Sequence, residues 1–135
     1  MASERSYRHN IITPEVRWLH SPDVLDLENS HPENLRNFCI LIQAMIGPKN
    51  MSGEESFDFL VCTPEWLSDE LKHETFIFAS NYLIVSKFDY KVIWNAIATL
   101  CAQVTGETWS EVGKKLNKYG QWEFEGYVEN KNQTK

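Results

Sequence analysis

Apolar and polar residues alternate over residues 15–20, EVRWLH, which predicts a first strand with Val16 and Trp18 on one face. Residues 38–46, FCILIQAMI, are apolar at both alternating sets of positions, the pattern of a central strand covered on both sides. GPKNMSGEE, residues 47–55, reads as a hairpin loop between this strand and a return strand at 56–63. In the return strand Phe57, Phe59 and Val61 share one face, while Ser56, Asp58, Leu60 and Cys62 share the other. Between the first two strands, residues 21–34 are rich in turn formers and acids. They form either a long loop or a loop holding one helical turn.

The period then changes. Thr63 is a helix cap, and Pro64 suits the first helical position because its missing N–H has no partner there anyway. A short helix follows, with Leu67 and Leu71 on one face, ending near Lys72 and His73. Residues 75–88 carry one long strand or two short ones, with Asn81 at a bend or bulge. Asp89 caps the clearest helix, 90–104, on which Ile93, Ile97, Leu100, Cys101 and Val104 keep helical spacing up to Gly106. Thr108 and Glu111 form a capping box. Trp109, Val112, Leu116 and Tyr119 stripe the last helix, which Gly120 stops. A closing strand, QWEFEGY, points Trp122 and Phe124 inward and Glu123 and Glu125 outward. The early hairpin implies antiparallel pairing. The expected class is α+β: a small, largely antiparallel sheet with about three helices packed on one side. The expected division is a flexible N-terminal segment at 1–12, one domain at 13–128, and a C-terminal tail at 129–135.

A chain of 135 residues, 42% hydrophobic and 13% aromatic, has material for one core. The net charge of −6 and pI near 5.2 disfavour direct nucleic-acid binding, which needs basic side chains to neutralise phosphates. No basic run exceeds Lys114–Lys115. A basic protein partner fits better, because opposite fields steer encounter. The start of the chain has no signal-peptide pattern and no apolar run reaches the length of a membrane span, so a soluble cytoplasmic protein is expected.

Candidate chemistry is sparse. Cys62 stands just before a helix N-terminus, where a thiol can be activated, but the nearest histidine in sequence, His73, lies at the far end of that helix. Cys39, Cys62 and Cys101 have no metal-ligand spacing and read as reduced, buried small hydrophobes. The four histidines share no helical or strand face, so neither metal nor other cofactor is expected. No glycine-rich phosphate loop exists. Acids come in groups: Asp23, Asp26 and Glu28 in one loop, Glu54, Glu55 and Asp58 around the second hairpin strand, and Glu65, Asp69, Glu70 and Glu74 on the short helix. They are either solvated faces or a negative surface for a basic partner. Most of the five tryptophans suit the core; Trp66 and Trp94 lie beside the main stripes of their helices and could anchor an interface.

Four blocks, WLHSPDVLDLE, FCILIQAMIGPKNMSGEESFDFLVCTPEWL, NYLIVSKFDYKVIWNAI and GETWSEVGKKLNKYGQWEFEGY, together resemble the bacterial immunity protein 8 family from about Trp18 to Tyr127. The resemblance implies that CTPEWL is a structural corner rather than a nucleophile. It also implies a small, non-enzymatic cytosolic antidote of polymorphic-toxin and contact-dependent inhibition systems. The implied partner is the C-terminal domain of a cognate toxin. Many such toxins are nucleases with basic active faces, which suits an acidic antidote. The expected toxin-binding residues are Glu54, Glu55, Asp58, Glu65, Asp69 and Glu70, with Asp23, Asp26, Glu28 and Trp66 behind them. These rest on charge clustering, with Trp66 as an aromatic anchor, since the resemblance carries over no binding residues. The competing readings are an acidic adaptor or oligomeric scaffold and a small enzyme with a distributed site around Cys62.

Overall fold

The computed structural model describes residues 11–123. Residues 1–10 and 129–135 of the expected terminal segments, and Phe124 and Glu125 of the closing strand, lie outside that range. The elements run β1 (Pro14–His20), β2 (Cys39–Pro48), β3 (Glu55–Cys62), α1 (Pro64–Glu74), β4 (Tyr82–Ile84), α2 (Tyr90–Gln103), α3 (Trp109–Leu116) and β5 (Gln121–Trp122). They build an α+β fold around one mixed, mostly antiparallel sheet. β1, β2 and β3 pair antiparallel in sequence order. Beyond β3, its free edge is shared. β4 pairs parallel with residues 60–62, and β5 pairs antiparallel with Phe57 and Asp58.

One face of the sheet carries the core. Ile40, Ile42, Ala44 and Ile46 of β2 stand opposite Val61, Phe59, Phe57 and Glu55 of β3, and every one of these apolar side chains is buried. Burying each large one removes apolar area from water worth about 1.5–3 kcal/mol. α2 covers this layer with Ile93, Ile97 and Cys101, and α3 with Val112 and Leu116, which is the helical stripe read from the sequence. Trp122 stacks on Phe57 with ring centroids 5.9 Å apart. It comes so close to α3 that a Cβ at Gly113 would lie 2.5 Å from its ring. The loop after β1 holds one hydrogen-bonded turn, in which Asn29 and Ser30 N–H donate to the Asp26 carbonyl. Val24 and Leu27 pin it to the core.

Three expectations need correction. β1 carries a bulge: Val16 pairs with Ile46 but Trp18 pairs with Met45. The extra residue, Arg17, turns Trp18 away from the core face, and Trp18 is 46% exposed. The freed guanidinium donates to the Pro48 and Met51 carbonyls at 2.8 and 2.7 Å, and a Cβ at Gly47 would lie 2.7 Å from it. Second, only Tyr82–Ile84 of the 75–88 segment is a strand. Thr75 leaves α1 in the left-handed region (φ 58°), and Phe76 and Phe78 are 65% and 89% exposed. Third, β2 is deeply buried on one face only. Cys39, Leu41, Gln43 and Met45 on the other remain partly exposed.

Candidate functional site

The second face of the sheet follows from the register. Trp18 and Met45 stand beside Ser56, Gln43 beside Asp58, Leu41 beside Leu60 and Tyr82, and Cys39 beside Cys62 and Ile84. Helix α1 reaches the Cys39 end of this face. Its Trp66 ring lies 6.5 Å from that of Tyr82, yet no residue of α1 is buried. α1 forms where it does because the buried Thr63 hydroxyl accepts from the Trp66 N–H at 3.3 Å and Pro64 occupies the first turn. The same hydroxyl accepts from the Phe38 N–H at 3.4 Å, which ties the helix start to the head of β2.

A sheet face turned to water normally alternates to polar residues. This one keeps Leu41, Met45 and Leu60 at its centre, each partly exposed, with the exposed Trp18 and Ile84 at its margins. These apolar positions were missed as candidates. For Leu41 and Met45 the signal is the double-sided apolar pattern of β2, and for Leu60 it is an apolar residue on the otherwise polar face of β3.

Carboxylates ring that centre. Asp58 lies within it, beside Gln43. Burial foremost, with nearby Glu123 adding, pushes the Asp58 carboxyl up, against a hydrogen bond from Ser56 Oγ at 3.2 Å. Asp23 stands where β1 has ended, and its Oδ2 accepts the Leu41 N–H at 2.8 Å. Asp23 and Glu70 both lie near Cys39, whose thiol is pushed up by burial first and then by these two charges. Glu54 accepts from Trp18 Nε1 at 2.9 Å and pairs with Arg17 at 3.7 Å, so it holds the exposed indole in place.

The remaining candidates divide by surroundings. Glu65 and Asp69 lie on the exposed side of α1. Asn37 Nδ2 donates to Asp69 at 2.8 Å and Lys72 Nζ at 3.3 Å, and both hold its carboxyl below the usual range. Glu55 stands on the core face opposite Ile46 and accepts from Trp109 Nε1, anchoring α3 to β3. Asp26 adopts a left-handed conformation (φ 54°) and accepts from Asn29 Nδ2 at 3.0 Å. Glu28 is exposed beside Tyr90, on a hollow of about 420 Å³ that Trp18 and Trp94 also line. The structure thus brings Asp23, Glu54, Asp58, Glu70 and Trp66 around one face and extends it with Glu65 and Asp69; Glu55 lies on the core face, and Asp26 and Glu28 line hollows beside Trp18 at the β1 edge.

The corner cysteine has the environment of a packed thiol. Cys62 is fully buried, and burial pushes its thiol up to about 11, away from the thiolate that attack requires. Its neighbour is Cys39 rather than a base. Among the described residues no group of three or more His, Cys, Asp or Glu side chains could hold a metal ion, and no helix is long and apolar enough to cross a membrane.

No curated protein and no solved structure matches the chain. A family model does, over residues 14–127, which span every strand and helix described above. By that match the chain belongs to the immunity protein 8 family.

Proposed function

We propose that this protein is a cytoplasmic antidote that binds the C-terminal domain of a cognate toxin through its second sheet face and helix α1, and that it acts by occlusion. Membership of an immunity protein family supports the toxin-neutralising role. The observation that carries the choice of surface is the conflict between pattern and exposure. Leu41, Met45 and Leu60 are apolar where solvent would favour polar residues, and carboxylates surround them. Apolar centres within charged rims are the anatomy of protein interfaces. The partner that suits this rim has a basic face, as a nuclease or another toxin acting on nucleic acid would have. Occlusion needs no chemistry from the antidote: Trp66, Leu60 and Met45 exclude water while Asp58, Glu70, Glu65 and Asp69 meet cationic groups.

The test is titration of the purified protein against the toxin domain encoded beside its gene. Leu60→Lys places a cation at the apolar centre, and its affinity should fall about tenfold or more, with the thermal midpoint monitored to show an intact fold. Glu65→Lys combined with Asp69→Lys should mainly slow association. Wild-type affinity in Leu60→Lys would remove the sheet face from the interface. Wild-type kinetics in the double variant would remove α1.

A further inference from the structure

Cys39 and Cys62 are directly opposed across the β2–β3 pair. The Thr63 N–H donates to the Phe38 carbonyl, so the hydrogen bond closes just outside the two cysteines and leaves them a non-hydrogen-bonded pair. Such pairs have Cα atoms about 4.5 Å apart, inside the range a disulfide spans without backbone movement. Both thiols are free, and they lie close enough that each perturbs the other's ionisation. They differ in access: Cys39 is partly exposed at the margin of the second sheet face, whereas Cys62 is fully buried. Cys101 lies apart, buried on α2.

We propose that Cys39 and Cys62 are an oxidation site at which hydroperoxides form a cross-strand disulfide. The Cys39 sulfur attacks the O–O bond of the peroxide, becoming a sulfenic acid and releasing hydroxide, which takes up the Cys39 proton as water. The Cys62 sulfur then attacks the sulfenic sulfur. The S–S bond forms, the S–O bond breaks, and the oxygen leaves as water with the Cys62 proton. Two thiols and one hydrogen peroxide become one disulfide and two waters; a dithiol reductant reverses the change. Burial keeps both thiols protonated at neutral pH, and at Cys39 the carboxylates of Asp23 and Glu70 add to it. The site is therefore slow at neutral pH and quickens as pH rises and thiolate forms. This site stands apart from the toxin-binding reading and would hold if that reading failed.

The experiment treats the full chain with hydrogen peroxide, quenches it, denatures it and counts the thiols that alkylate. Untreated protein takes three labels, one for each cysteine. Oxidised protein should take one, with Cys39 and Cys62 recovered as a single linked peptide pair that dithiothreitol separates. Its thermal midpoint should rise. The Cys39→Ser variant should keep both remaining thiols under the same treatment. Three labels after treatment, chains crosslinked to one another through Cys39, or Cys39 carried on to sulfinic acid with Cys62 still free would each overturn the proposal.

Discussion

Asp58 is the residue at which fold and proposed function pull apart. Burial raises its carboxyl above the ordinary range, so the folded state holds the proton more tightly than the unfolded chain does. The sign follows from linkage. The contribution of this group is most favourable below the unfolded carboxylate range and is lost as pH rises through the raised value. Asp58→Asn should therefore raise the thermal midpoint at neutral pH. The gain should vanish as pH is lowered through the carboxylate range, while toxin binding weakens. A lower midpoint at neutral pH would make Asp58 a structural acceptor for Ser56 rather than a charge kept for a partner. The sequence identified Asp58 as a candidate from its neighbours Glu54 and Glu55, but it could not separate the three. Glu55 was drawn onto the core face by its place opposite Ile46, and Glu54 was drawn to Trp18 and Arg17. Those roles depend on strand register and on a bulge, neither of which local spacing encodes.

Among the elements, α1 is fixed at its start and only lightly along its body, where Trp66 lies against Tyr82 and Asn37 donates to Asp69. It contributes no buried residue, and its start hangs on the Thr63 hydroxyl, which serves both Trp66 and Phe38 N–H groups. Thr63→Ala loses the cap and strands a buried donor. It should cost roughly 1–3 kcal/mol in denaturant melts, with Thr63→Ser recovering most of it. A loss within a few tenths of a kcal/mol would show that α1 is anchored elsewhere. The cap and proline of α1 and the Thr108 cap of α3 were legible in the sequence because they act within one turn, although Glu111 reaches back to the Glu107 N–H rather than to that of Thr108. The segment after α1 was not. TFIFA has a strand-forming composition, but the edge of β3 offers room for β4 only from Tyr82 onward, leaving Phe76 and Phe78 in solvent.

For the whole molecule the governing quantity is charge. With a net charge of −6 the protein should attract a basic toxin domain over a distance set by screening, about 8 Å at physiological ionic strength. Association should slow steeply as salt rises, while dissociation changes little. Stopped-flow mixing at two salt concentrations checks this. Salt-independent association would shift the binding energy from the carboxylates to Leu41, Met45, Leu60 and Trp66.

The order of strands and helices, their caps, the core stripe of α2 and α3, and the family were all readable from the residues alone. Periodicity, capping chemistry and a characteristic order of blocks are properties of neighbours along the chain. The tertiary structure alone decided the parallel pairing of β4, the outward turn of Trp18, the opposition of Cys39 and Cys62, and the half-open face of β2. Each depends on which strand lies beside which and in what register. That is settled by how the whole core packs, so one extra residue at Arg17 is enough to reverse the face of a tryptophan.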